Sequence, residues 1–347
     1  MGADFTYQEI MAQPDLWSDT VDHMAKRAGT LSRFVADADP EEVIFTGCGT
    51  SHYISIAAAL SFQEITGISA RAEPASALLL NPRAVIARGR RTLVVASSRS
   101  GQTTEVVRAM EALKRDPFVR RIAVTANPAS ELAAQAQYSI VLDHVRERSI
   151  VMTGSFTSIL LALQMLACIA AGEADRIPAA GMPEAGSRVL PAAEAAAERL
   201  GNDLSRDHFI YLGLGAYFGL ACEGMLKMKE MTQAASEAFN PLEFRHGPIS
   251  VLNERCAAVL LCRAADGAYE RDLVRDMERL GTITARVGSD AGDSPTAPDV
   301  RVGSDAGDPL RAVLYLPFLQ LLAYHRARRL GLDPDKPRHL SSVVVLP

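Results

Sequence analysis

Residues 41–51 read Glu-Glu-Val-Ile-Phe-Thr-Gly-Cys-Gly-Thr-Ser. A short apolar run stops at two glycines and hands over, through two hydroxyl residues, to a helical stretch from Ser51 to Ile65. A second such unit follows: Arg91–Ala96 (RTLVVA) runs into SSRSGQT at 97–103 and then a helix from Glu105 to Lys114. Arg121–Thr125 and Ser139–Leu142 read as further strands, before a long helix from about Thr153 to Ala171. Apolar strands alternating with helices predict a parallel sheet covered on both faces, an α/β fold.

The same grammar resumes downstream. HFIYLGLGAYFG (208–219) is strand, glycine turn and helix, AAVLLCR and TITARV read as strands, and Leu310–Leu330 as a closing helix. The echo between GCGTS at 47 and GLGAY at 213 predicts two similar halves. Their expected limits are 40–172 and 195–332, with a helical arm at 1–39, an Ala- and Pro-rich linker at 173–194 and a tail at 333–347. With 347 residues, roughly two domains are expected. The octapeptide RVGSDAGD occurs at 286–293 and again at 301–308. It is too short for a solenoid unit and reads as two similar strand-end loops.

Composition narrows the function. Hydrophobic residues make up 48% and charged residues 22%, ordinary globular usage. The 36 basic against 41 acidic residues leave a net charge of −5, which argues against a general nucleic-acid surface but allows a local anion pocket. The five cysteines form no C-x-x-C pair, so neither a disulfide framework nor a zinc site is expected, and no cofactor motif is read. The start carries acidic residues and no apolar core, and the apolar run 156–171 is too short for a bilayer and holds Thr157, Ser158 and Gln164. A cytoplasmic protein away from membranes is expected.

In an open α/β sheet, ligands bind beyond the carboxyl ends of the strands, where helix N-termini offer free N–H groups and a positive dipole end. Thr50, Ser51, Ser98, Ser100 and Thr103 put five hydroxyls on two such loops, a cradle suited to a phosphate monoester. A dinucleotide site fits poorly, because GCGTSH lacks the third glycine, and the Gly-Lys-Ser/Thr of a P-loop is absent. Ordinary N-cap chemistry is the alternative. The second half lacks these hydroxyls. It instead carries Glu223, Lys227 and Glu230 on one helix face, with His246 beyond. A carboxylate and a histidine near a phosphosugar can move protons between carbon and oxygen. By spacing alone the favoured account is a solvated salt-bridge face and a surface loop histidine.

These segments, together with SEAFNPLEFRHGP (236–248) and LQLLAYHRARRLGLDPDKPRHL (319–340), resemble sugar isomerase (SIS) domain proteins. The likeness is to the isomerase half of glutamine:fructose-6-phosphate aminotransferase and its stand-alone relatives. It implies two SIS domains, a phosphosugar ligand and a homodimer. It places Thr50, Ser51, Ser98, Arg99, Ser100 and Thr103 at phosphate-binding positions, Arg99 standing where the better-known relatives usually have Gln. Glu230 falls on the base that shuttles a proton between C1 and C2, Lys227 on a lysine that organises that site, and His246 on a ring-opening histidine that reaches across a dimer interface. Where the aminotransferase tail has its catalytic lysine, this chain has Ser341 and Ser342, which can contact substrate but cannot form a Schiff base. About 40 residues precede the first strand, so a glutaminase domain is not expected. The implied activity is isomerisation of an (amino)hexose 6-phosphate, with deamination of glucosamine 6-phosphate as one form. A fructosamine-6-phosphate deglycase and a non-catalytic phosphosugar-binding regulator are the alternatives.

Overall fold

A computed structural model describes residues 4–179, 181–264, 267–289, 298–304, 306–344 and 346. The chain divides into two compact units, neither of them continuous in sequence. The amino-terminal unit comprises Asp15–Glu147, Gly154–Ala179 and Ser341–Pro347; the carboxy-terminal unit comprises Met1–Pro14, Arg148–Thr153 and Ala180–Leu340.

The amino-terminal unit is built on a parallel sheet of five strands: β1 (Glu42–Gly47), β2 (Ala70–Pro74), β3 (Thr92–Ser97), β4 (Val119–Thr125) and β5 (Tyr138–Val141). Their order is β2-β1-β3-β4-β5, so the winding reverses between β1 and β3. Every residue of β1 and β3 is buried, which is why both are apolar through their middles, at 43–45 and 93–96. Ile44, Val94, Ala96 and Ala123 meet Val106, Ala109 and Met110 of the helix Thr104–Ala112 in one core cluster. The helix Gly154–Ala170 is buried along nearly its whole length, which accounts for its lack of a polar face. Among the described residues no helix is long and apolar enough to cross a membrane.

The carboxy-terminal unit repeats this topology. Its strands are β6 (His208–Leu212), β7 (Ala235–Phe239), β8 (Cys256–Leu261), β9 (Ile283–Gly288) and β10 (Val300–Arg301), all parallel and ordered β10-β9-β8-β6-β7. The sequence reading had β1, β3, β4, β5, β6, β8 and β9, but not β2, β7 or β10. Those three lie at sheet edges, where half-exposed short segments carry no apolar run. The two copies of the octapeptide begin in β9 and β10, which pair at Arg301 and Gly288. Residues 290–293 and 305 of those copies lie outside the described residues.

Two stretches differ from expectation. The linker expected at 173–194 is largely the helix Met182–Gly201, which buries Met182, Ala185, Val189, Leu190 and Ala193. Proline at its start and Pro191 within it disguised the helix, although proline is tolerated in a first turn. His325 of the helix Leu316–Arg329 meets Glu194 at 3.0 Å and ties the two helices together. The arm expected at 1–39 forms the helices Phe5–Met11, Gln13–Ala25 and Ala28–Ala38, but Met1–Pro14 belongs with the carboxy-terminal unit.

Asp335 makes that attachment. Its carboxylate accepts from the Phe5 N–H at 3.0 Å, from the Thr6 N–H at 2.8 Å and from the Thr6 hydroxyl at 2.7 Å. A negative charge thereby caps the N-terminus of the first helix, where the helix dipole favours it. Burial acts to raise the Asp335 carboxyl, but the bonds from Thr6 and Phe5 outweigh it and hold the group below its ordinary value. A depressed carboxyl stabilises the fold above its unfolded value of about 3.9 and loses that contribution as pH falls through the folded value. Asp335→Ala is expected to cost roughly 1–3 kcal/mol in urea denaturation at pH 7. The difference from wild type should shrink below about pH 4.

Candidate functional site

Both units use one device at the end of their first strand. A Cβ at Gly47 would lie 2.7 Å from the Ser51 backbone, and one at Gly213 would lie 2.2 Å from the Tyr217 carbonyl oxygen. Only glycine lets the first turn of the following helix come so close to the strand. Two residues on, Gly49 (φ 54°, ψ −126°) and Gly215 (φ 63°, ψ −134°) adopt matching backbone conformations that side-chain-bearing residues avoid. The echo between 47 and 213 is therefore one piece of geometry made twice. It aims the N-termini of the helices Thr50–Thr66 and Ala216–Thr232 across the carboxyl edge of each sheet.

In the amino-terminal unit this edge is rich in hydroxyls. The loops 47–51 and 98–103 leave the adjacent strands β1 and β3, at the point where the winding reverses and ligands of such sheets bind. Thr50 and Ser51 open the first helix, and Gly49 supplies no side-chain cap to its free N–H groups. In the second loop Ser98 Oγ lies 3.1 Å from Thr103 Oγ1 and 3.5 Å from Ser100 Oγ. The Gly101 N–H donates to Ser98 Oγ at 3.1 Å and the Gln102 N–H to Ser100 Oγ at 3.2 Å. Three hydroxyls and a helix start thus converge, the donor set an oxyanion needs.

Residues that sequence reasoning missed brace this loop. Asn127 Nδ2 donates to the Ser100 carbonyl at 2.8 Å, and the Thr125 hydroxyl donates to the Arg99 carbonyl at 3.2 Å. Thr125 ends β4 and Asn127 follows it, and their sequence signal is a polar pair at the end of an apolar strand. Arg99 itself is turned toward Glu147, at 3.1 Å from a carboxylate that is 2% exposed. Its other terminal nitrogen approaches the Ser342 carbonyl at 3.4 Å. Ser342 therefore meets this unit through its backbone, while the Ser341 hydroxyl donates to the Val343 carbonyl at 2.9 Å.

The carboxy-terminal unit fills the equivalent edge with its own side chains. Tyr217 stands where Ser51 stands in the other unit, and its hydroxyl donates to Asp308. Strand register pairs Thr46 with Ala96 and Leu212 with Leu260, so Ala264 corresponds to Ser100. The Ala264 N–H donates to Asp308 Oδ2 at 2.7 Å, and Arg311 Nε donates to Asp308 Oδ1 at 2.8 Å. A protein carboxylate occupies this edge. Burial, with the neighbouring Tyr315 and Asp308, pushes the Tyr217 phenol far above its ordinary value, so it stays a neutral donor.

What this unit adds lies further along its first helix. Lys227 Nζ is 3.0 Å from Glu223 Oε1 and 2.5 Å from Glu230 Oε2. Lys227 and Glu223 are fully buried, whereas the Glu230 side chain is 18% exposed. The shared face read from the sequence is present, but it is no solvated salt-bridge face. Burial acts to lower the Lys227 ammonium, and the two carboxylates outweigh it and raise it. Glu230 is the member of the cluster that reaches the surface. His246 is exposed, between the short turns Glu243–Arg245 and Pro248–Val251, and no hydrogen bond joins it to Glu230.

Comparison with known proteins agrees with this architecture. Residues 38–169 match the SIS domain family. The chain is 31% identical to a glutamine–fructose-6-phosphate aminotransferase (isomerizing) of Gloeobacter violaceus over 99% of its own length. It spans 58% of that relative. A solved glucosamine-6-phosphate deaminase from Thermotoga maritima is 30% identical, with a TM-score of 0.76 over 94% of this chain and 100% of that one. Tagatose-6-phosphate ketose/aldose isomerase from Escherichia coli shares the fold at 23% identity, with a TM-score of 0.86 over 99% and 96% of the two chains. The family match and a relative aligned over its whole length agree: the chain belongs to the SIS domain family.

Proposed function

We propose that the chain acts on an aminohexose 6-phosphate and converts glucosamine 6-phosphate to fructose 6-phosphate and ammonia. The observation that carries this reading is the buried Glu223–Lys227–Glu230 cluster with one carboxylate at the surface. A purely binding protein has no use for such a base. Thr50, Ser51, Ser98, Ser100 and Thr103 hold the phosphate, and Ser341 and Ser342 close on the substrate from the tail. Arg99, paired with Glu147, adds positive charge beside the cradle.

The proposed chemistry balances without a cofactor. His246 takes the proton from the anomeric hydroxyl and returns one to the ring oxygen, opening the sugar. Glu230 removes the C2 proton of the open aldehyde, and the carbonyl oxygen takes up a proton to give the enolamine. Returning the proton to C1 leaves an imine at C2, which water hydrolyses to the ketone with loss of ammonia. Lys227 holds Glu230 in place and balances its charge. Deamination is preferred to deglycation because a relative named as a glucosamine-6-phosphate deaminase aligns over its entire length. The exposed His246 suits a residue that completes a partner's site, so a homodimer in the cytoplasm belongs to the same proposal.

Four measurements test it. A hydrogen bond to a charged group is worth about 1.5–3 kcal/mol. Ser98→Ala and Ser100→Ala should therefore each weaken glucosamine 6-phosphate binding roughly tenfold in calorimetry; unchanged affinity in both removes the cradle. Glu230→Gln keeps size and most hydrogen bonding, and it should lose about 10²–10⁴ in kcat while phosphosugar binding survives. Solvent deuterium should enter the sugar at C1 with wild type and not with this variant. Near-normal turnover by Glu230→Gln would sink the assignment of the base. Finally, mixing inactive Glu230→Gln with inactive His246→Ala chains should restore part of the activity if the site is shared. With subunit exchange verified, no recovery argues against a shared site.

A further inference from the structure

We infer that His23, His144 and Asp143 of the amino-terminal unit form a binding site for a divalent transition-metal ion of the zinc type, separate from the hydroxyl cradle. His23 lies near the end of the helix Gln13–Ala25, and Asp143 and His144 follow β5. One ligand atom from each of the three lies within 4.8 Å of the others. The two imidazole rings stand 5.8 Å apart between centroids.

Hydrogen bonding sets the rings for the task. The Thr20 hydroxyl donates to the Leu16 carbonyl at 2.8 Å, so it accepts from His144 Nε2 at 2.9 Å. A ring protonated at Nε2 keeps its lone pair on Nδ1. Fixing a ligand's tautomer through its other nitrogen is the usual outer support of a metal-bound histidine. His23 Nε2 is buried and has no hydrogen-bond partner. A buried polar atom without a partner is costly, and a metal ion would satisfy it.

Charge and geometry are compatible with a cation. Burial first, with Arg27 next, lowers the His23 imidazole to about 4, and burial lowers His144. Arg27 and Lys26 oppose a cation at His23, whereas Asp143 faces both rings and Asp19 faces His144. Two imidazoles and a carboxylate are the donors zinc takes at about 2.0–2.2 Å, with water as the fourth ligand. Tetrahedral ligation draws donor atoms to about 3.3 Å apart. The exposed Asp143 has the freedom to close that gap. The ion would pin the helix Gln13–Ala25 to the end of β5.

Equilibrium dialysis of the full chain against zinc chloride, with bound metal measured by mass spectrometry, tests the site. Wild type should take up one equivalent per chain and gain melting temperature. His23→Gln and His144→Gln should each weaken uptake by at least about tenfold. Thr20→Val, which touches no metal, should weaken it about 10–100-fold while leaving the melting temperature in chelator near wild type. His208→Gln, in the other unit, should bind as wild type does. If the histidine variants do not fold, Asp143→Asn reads the same loss from an exposed position. Absence of zinc uptake by wild type, or uptake unchanged in the His23 and His144 variants, overturns the site.

Discussion

The close approach at Gly47 and Gly213 is the constraint on which both units depend. The backbone four residues further on occupies the space where a Cβ would stand. Without that contact the first helix of each unit could not begin directly over its strand, and its N-terminus would not face the carboxyl edge. Gly49 and Gly215 then turn the chain through conformations nearly closed to other residues. The hydroxyl loops of one unit and the Glu223–Lys227–Glu230 helix of the other are both arranged from these two corners.

One frame carries two different sets of side chains. At the amino-terminal corner, Ser51 is small and the hydroxyls of Ser98, Ser100 and Thr103 converge, so the edge stays available to an anion from outside. At the carboxy-terminal corner Tyr217 replaces the serine, and the Asp308 carboxylate takes the backbone N–H of Ala264 and the Arg311 guanidinium. The chain thus supplies its own anion there. The donor set that the proposed phosphate needs is therefore present in one unit, and the helix after the second corner carries Glu223, Lys227 and Glu230 instead.

The central strands were legible because strands buried on both faces carry near-continuous apolar runs, as in β1, β3 and β8. The glycine corners were legible because close packing admits one residue type. Edge strands were not, since Ala70–Pro74 and Ala235–Phe239 are half exposed and meet no such demand. The helix Met182–Gly201 hid behind its prolines, and the attachment of Phe5 and Thr6 to Asp335 joins residues at opposite ends of the chain. Spacing placed Glu223, Lys227 and Glu230 on one face but could not tell a wet face from a dry one. Burial decides that question, and it is a property of the packing around the helix.

Burial also bears on why the cluster is there. Taking charges out of water costs several kcal/mol each, and a buried ion pair often stabilises a fold less than apolar side chains of the same volume. Lys227 and Glu223 are fully enclosed, so stability alone gives a weak reason for an ammonium flanked by two carboxylates. Geometry gives a stronger one. Lys227 holds Glu230 at 2.5 Å from one side while Glu223 holds Lys227 at 3.0 Å from the other, so the outermost carboxylate is fixed by protein groups that are themselves buried. A base that removes a proton from carbon must be held at a set position before substrate arrives. In the proposed reaction the buried pair has that task, and its cost in desolvation is the reason to look for function at its exposed end.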